Sequence, residues 1–141
     1  MQRKASAVWN GGLKDGKGAV SSASGVLSNT SYSFTTRFEN SPGTNPEELI
    51  AAAHAACFSM ALSAQLGNAN LTPESINTTA TLSLDKLDSG WTITAIQLDV
   101  VGRVPKADNN VFQKAAEDAK TGCPISKLLN AKITMTAKLE S

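Results

Sequence analysis

The sequence predicts an α+β domain with helices on one face of an antiparallel sheet, and three observations carry that prediction. The first forty residues are cut into short alternating runs by glycine-rich turns. A capped, alanine-rich helical stretch follows near residues 45–67. Two long alternating runs then face each other across the short turn "DSG". The expected order is βββ-α-ββ-α-α-β, in a single domain over residues 1–141.

Each element has a local reason. "ASAVW" and "AVSSASGVL" flank the turn-rich "NGGLKDGKG" and read as the first two strands. "SYSFTTRFE" alternates, with Tyr32, Phe34, Thr36 and Phe38 on one face and Ser33, Thr35, Arg37 and Glu39 on the other, so it predicts a third strand. "NSPGT" breaks it. The long helix then starts with Asn45 as N-cap, Pro46 in the first position and Glu48 three residues after the cap. Glu47 and Glu48 both sit where the helix dipole favours negative charge. Leu49, Ala53, Ala56, Cys57, Met60 and Ala64 form a stripe at helical spacing, and Gly67 is the expected stop.

"ESINTTATLSLDKL" and "WTITAIQLDVVGRV" predict a long hairpin that Pro105 ends. A helix at about Asn109 to Lys120 turns Val111, Phe112, Ala115, Ala116 and Ala119 inward, and Thr121 and Gly122 stop it. Cys123 precedes Pro124, "CPISKLL" opens a further short helix, and "AKITMTAKL" supplies the last strand. So alanine-rich a helix is hard to cover with so short a chain, which points to a dimer.

Composition narrows the function. The chain holds 141 residues, enough to bury roughly two-thirds of its unfolded surface without a disulfide or metal. Net charge is +1 with no basic cluster, so the footprint of a nucleic-acid binder is missing. The longest apolar run, "LIAAAHAACFSMAL", is short and polar for a membrane span, and no apolar segment follows the basic "MQRKASAVWNGG" as in a secretory signal. A cytoplasmic setting is expected. There a cysteine pair is more often catalytic, redox-active or metal-binding than structural.

Chemistry therefore turns on the two cysteines, Cys57 and Cys123. Cys57 lies mid-helix on an apolar stripe, where cysteine is usually core, and a lowered pKa there would need a nearby cation. His54 lies three residues earlier and can share its side of the helix. Cys123, just ahead of Pro124, is placed to cap the short helix. Three arrangements remain open: a nucleophile with a resolving partner, a zinc site drawing on His54 and a carboxylate, or two core thiols. No CxxC or HxxxH spacing supports zinc.

"TNPEELIAAAHAACFSMAL", with "TTRFE" before it and "GCPISKLL" after it, resembles the OsmC/Ohr family of bacterial thiol peroxidases, and the resemblance runs essentially end to end. Arg37 in "FTTRFE" resembles the osmotically inducible OsmC branch, since the Ohr branch carries its arginine near the first hairpin. The resemblance implies an intertwined homodimer with active sites at its interface. It implies reduction of hydroperoxides, organic ones above all, without haem, flavin or metal. Residue by residue, Cys57 corresponds to the peroxidatic nucleophile, Cys123 to the resolving cysteine, and Arg37 and Glu47 to the pair that prepares the nucleophile. His54 has no implied role, and Glu48 reads as the capping residue. A dithiol, such as a lipoyl protein or thioredoxin, would close the cycle. The competing readings are a small-ligand or lipid-binding dimer whose cysteines only sense oxidation, and a zinc-stabilised module.

Two further expectations follow. Glu47 and Cys57 are ten residues apart, about 15 Å along one straight helix, so Glu47 is expected to serve the thiol of a partner subunit through two antiparallel helices. Phe38, Phe58, Met60, Leu128 and Leu129, neighbours of the motif residues, are the expected lining of an apolar substrate pocket.

Overall fold

A computed structural model describes residues 1–140 of the chain. It contains two compact units, Met1–Leu49 and Ile50–Ser141.

In the first unit β1 (Ala5–Asn10), β2 (Lys17–Ser22) and β3 (Thr30–Tyr32) form an antiparallel sheet in that order. Trp9 and Tyr32 meet across it in a tilted arrangement, with ring centroids 5.5 Å apart. Gly18 is needed between them, because a β-carbon there would lie 2.4 Å from the Tyr32 ring. The predicted third strand is cut short. After Tyr32 the chain turns into a short helix, α1 (Phe34–Phe38), because Ser33 and Thr36 cap it reciprocally. The Ser33 side chain accepts the Thr36 N–H, and Thr36 Oγ1 accepts the Ser33 N–H at 2.8 Å. The alternation of Phe34 and Phe38 is equally an i, i+4 helical pair, and their rings meet at 4.9 Å. Arg37 therefore sits on a helix, not on the polar face of a strand.

The long helix α2 runs unbroken over Pro46–Asn68. Its start follows the sequence: Asn45 Oδ1 accepts the Glu48 N–H at 2.8 Å. Glu48 completes no box, however, since its carboxylate accepts from the Thr44 hydroxyl. The stop is not Gly67 but Asn70, in left-handed backbone at φ 58°. The N–H of Leu71 bonds to the Leu66 carbonyl and that of Asn70 to Gly67, a Schellman ending with Leu71 packed against the core.

In the second unit β4 (Ser75–Leu87) and β5 (Gly90–Arg103) form the expected antiparallel hairpin around Asp88 and Ser89. Helices α3 (Asn109–Gly122) and α4 (Pro124–Leu128) lead to β6 (Lys132–Glu140). β6 pairs with β5 in parallel, so this sheet, ordered β4-β5-β6, is mixed. The α3–α4 connection is long enough for the crossover that parallel pairing requires. α3 begins at Asp108, whose side chain accepts from the N–H groups of Asn110 and Val111, and continues through Thr121 and Gly122 to Cys123.

The core of this unit joins Phe58, Leu62 and Leu66 of α2 to Ile96, Leu98 and Val100 of β5 and to Phe112, Ala115, Ala116 and Ala119 of α3. Val111, expected inward, is exposed. The predicted stripe on α2 is likewise its outer side: Ala53, Ala56, Met60 and Ala64 are exposed, while His54, Phe58, Leu62 and Leu66 are buried. α2 is apolar nearly all round, so periodicity alone could not choose, and the larger side chains took the core. At 23 residues α2 is also long and apolar enough to cross a membrane by length and composition, contrary to the shorter run read from sequence. Its buried face, with a histidine on it, packs instead on the sheet of a globular unit.

Candidate active site

The second unit brings together both cysteines, 66 positions apart. Cys57 Sγ and Cys123 Sγ lie 2.8 Å apart as free thiols, Cys123 buried and Cys57 half-buried. Cys123 stands at the N-cap of α4, as its place before Pro124 predicted, yet its side chain makes no capping bond. It turns onto Cys57 instead. The backbone N–H of Ile125, one residue beyond Pro124, also bonds to the Cys57 sulfur. A thiol in the middle of its own helix is thus reached by the start of another, an arrangement that sequence spacing did not reveal.

These contacts pull the Cys57 pKa in opposite directions. Burial pushes the thiol up, and the hydrogen bond with Cys123 and that sulfur's charge add to the rise; the Ile125 N–H lowers it. The net direction is upward. An upward pull favours the thiol over the thiolate, and reversing it takes a nearby positive charge.

His54, one helical turn before Cys57, is fully buried. Its Nε2 lies 2.8 Å from Ser126 Oγ on α4, and its Nδ1 has no partner among the described residues. Burial holds its pKa below the usual histidine value, which keeps the ring neutral. No three His, Cys, Asp or Glu side chains among the described residues are grouped to hold a metal ion.

In the first unit Arg37 and Glu47 are paired. Arg37 Nη2 donates to Glu47 Oε1 at 2.6 Å, and its Nε donates to Oε1 at 3.0 Å and to Oε2 at 3.2 Å. The fork fixes the guanidinium in one orientation. Arg37 remains 38% exposed while Glu47 is only 13% exposed, so the carboxylate is spent on orienting and the guanidinium still presents an open edge. Beside it lies an open, largely apolar cavity of about 280 Å³, lined by Trp9, Leu13, Tyr32, Phe34 and Phe38 as well as Arg37. Of the pocket residues expected from sequence only Phe38 lines it. Phe58 is wholly in the core, Leu129 packs against that core, and Met60 and Leu128 are exposed. Neighbours of a motif along the chain point in different directions once it coils into a helix. Of the aromatic walls, Trp9 comes from a strand far from any motif and Tyr32 from the end of the strand just before "TTRFE".

The family model described as OsmC-like protein matches residues 38–138. The chain belongs to the OsmC family. Peroxiredoxin OsmC of Escherichia coli (strain K12) is 54% identical over 141 residues, 100% of this chain and 99% of that protein. Among solved structures, the organic hydroperoxide resistance protein OhrB of Bacillus subtilis is 26% identical with a TM-score of 0.68, covering 97% of this chain and 98% of that one. An OsmC-like protein from Mycoplasma pneumoniae shares the fold at a TM-score of 0.79 and 16% identity, over 100% of this chain and 99% of that one. The α+β fold of this OsmC-family chain, with two small sheets and a long helix, is the one those structures have.

Proposed function

We propose that this chain is a cysteine-based hydroperoxide reductase that converts organic hydroperoxides to alcohols. The observation that carries the reading is the 2.8 Å contact of Cys57 with Cys123 across two different helices. Cys57 is the nucleophile. Its thiolate attacks the outer oxygen of the hydroperoxide, the O–O bond breaks, the alkoxide leaves and takes a proton as alcohol, and Cys57 becomes a sulfenic acid. Cys123 then attacks that sulfur. The S–S bond forms, the S–O bond breaks, and water departs. An external dithiol, a lipoyl protein or a thioredoxin-like one, reduces the disulfide by exchange.

Arg37 supplies the charge that Cys57 lacks, and Glu47 orients it. Support comes from the fork geometry and from the upward pull on the thiol. Glu47 and Cys57 lie ten positions apart on α2, about 15 Å of axial rise, so the pair acts on the thiol of a partner subunit. The exposed Ala53, Ala56, Met60 and Ala64 are the face on which two such helices approach in a homodimer. The apolar cavity beside Arg37 takes the alkyl part of the substrate, which favours organic hydroperoxides over hydrogen peroxide. Residues 1–141 act as one OsmC-like domain, in a bacterial cytoplasm.

The test is a thiol count on reduced protein before and after one equivalent of cumene hydroperoxide. Wild type should lose both thiols, Cys57→Ser should keep its remaining one, and Cys123→Ser should stop at a sulfenic acid. Turnover with a dithiol separates the enzyme from a ligand-binding dimer that merely senses oxidation. Untouched wild-type thiols would overturn the reading.

A further inference from the structure

The chemistry proposed above leaves His54 unused, although it is the only histidine in the chain and one of its most buried side chains. Burying an imidazole with only one nitrogen paired costs stability, and the one bond it makes is to Ser126. Of the two neutral tautomers, hydrogen on Nδ1 would orphan a buried donor, whereas hydrogen on Nε2 leaves only a bare lone pair at Nδ1. Orphaned buried N–H groups are the rarer of the two, so Nε2–H donates to Ser126 Oγ.

Ser126 belongs to the same short turn that presents Cys123 Sγ and the Ile125 N–H to Cys57. α2 therefore grips residues 123–126 at two points one helical turn apart. The grip at Cys57 runs through sulfur and must be broken and remade in every cycle. The grip at His54 contains no group that a hydroperoxide consumes.

We propose that the His54–Ser126 hydrogen bond is a positioning clamp that keeps the Cys123 turn seated on α2 while Cys57 is oxidised, so that resolution outruns overoxidation. This rests on the assignment of Cys57 and Cys123 made above. Oxygen arriving on Cys57 removes the thiol–thiol contact that held Cys123 in place. With the clamp closed, Cys123 still faces the sulfenic sulfur, forms the disulfide and releases water. With it open, a second hydroperoxide reaches the same sulfur first, transfers an oxygen, leaves as alcohol and yields a sulfinic acid that Cys123 cannot resolve. His54 and Ser126 touch no reacting atom. What they set is the partition between the two fates.

The experiment titrates reduced protein with cumene hydroperoxide and measures, by intact-protein and peptide mass spectrometry, how much oxidised Cys57 ends as disulfide and how much as sulfinic acid. With the hydroperoxide held in fixed excess, this ratio does not depend on how fast the first oxidation occurs. Ser126→Ala, which keeps His54 in the core, should raise the sulfinic share about fivefold, the scale of one lost hydrogen bond. Ser126→Thr, which keeps the hydroxyl, should restore it, and His54→Gln, which keeps a donor, should fall between. A wild-type ratio in Ser126→Ala, with wild type itself forming the disulfide, overturns the clamp and leaves the peroxidase reading standing. So does failure of Ser126→Thr to restore the ratio. A wild type that forms no disulfide overturns that reading, and the clamp with it.

Discussion

The two units of this chain hold different chemistry, which the proposed mechanism makes complementary. Met1–Leu49 carries an oriented charge, Arg37 forked onto Glu47 beside an aromatic-walled cavity, and no cysteine. Ile50–Ser141 carries both cysteines and the only histidine, and the groups that meet Cys57 there are a thiol and a backbone N–H. On that mechanism neither half suffices. Burial without charge raises the Cys57 pKa and suppresses the thiolate, while a half-exposed ion pair by itself contributes little. On the proposed mechanism, the difference teaches that the nucleophile's position and its activation are separate problems, assigned to separate stretches of sequence.

The largest effect should come from removing the charge that the proposed mechanism calls on. Arg37→Gln is expected to slow oxidation of Cys57 on the order of a hundredfold, read as thiol loss in stopped flow. The pH at which Cys57 is half-alkylated should rise, because the cation that favours the thiolate is gone. Arg37→Lys should recover only part, since an ammonium cannot reproduce the planar fork. A wild-type rate in Arg37→Gln would mean that the charged half does not serve the thiol.

A second contrast concerns stability. Phe58→Ala removes a fully buried ring from the core beneath the thiols and should cost about 3–5 kcal/mol in urea unfolding. Arg37→Gln should change stability by no more than about 1 kcal/mol, as expected for an ion pair whose arginine is partly solvated. Equal losses would erase the distinction between a structural half and an activating half.

The smallest effect is on pH dependence. His54 is held below its usual value of about 6.5 by burial, so the unfolded chain takes up its proton first as pH falls. Its contribution to stability is full above that value and is lost as pH drops toward the depressed folded one. Melting temperature should fall with acidification below about pH 6.5, and His54→Gln should flatten that slope. An unchanged slope would place the ring in solvent contact.

Much of this was legible residue by residue. Asn45 and Pro46 announced the start of α2, because caps act within one turn of the chain and need no tertiary partner. The long hairpin announced itself through alternation and "DSG". Arg37 was singled out from its motif while its helix was missed, since Ser33 and Thr36 form a capping pair inside a run that also alternates. The parallel pairing of β6 was not visible, because strand direction depends on a crossover rather than on side-chain pattern.

The sequence by itself determined which chemistry is available: two thiols, one imidazole and one arginine–glutamate pair on recognisable motifs, with local capping to start the helix that carries Cys57. Only the tertiary structure decided which groups meet. It turned Cys123 away from its own helix cap and onto Cys57, brought the Ile125 N–H to the same sulfur, buried His54 against Ser126, and chose the inner face of an α2 that is apolar on nearly every side. The physical reason is range. Capping, alternation and turn chemistry are settled within a few residues, whereas contacts across 66 and 72 positions depend on how whole faces pack, and that competition has no local signature.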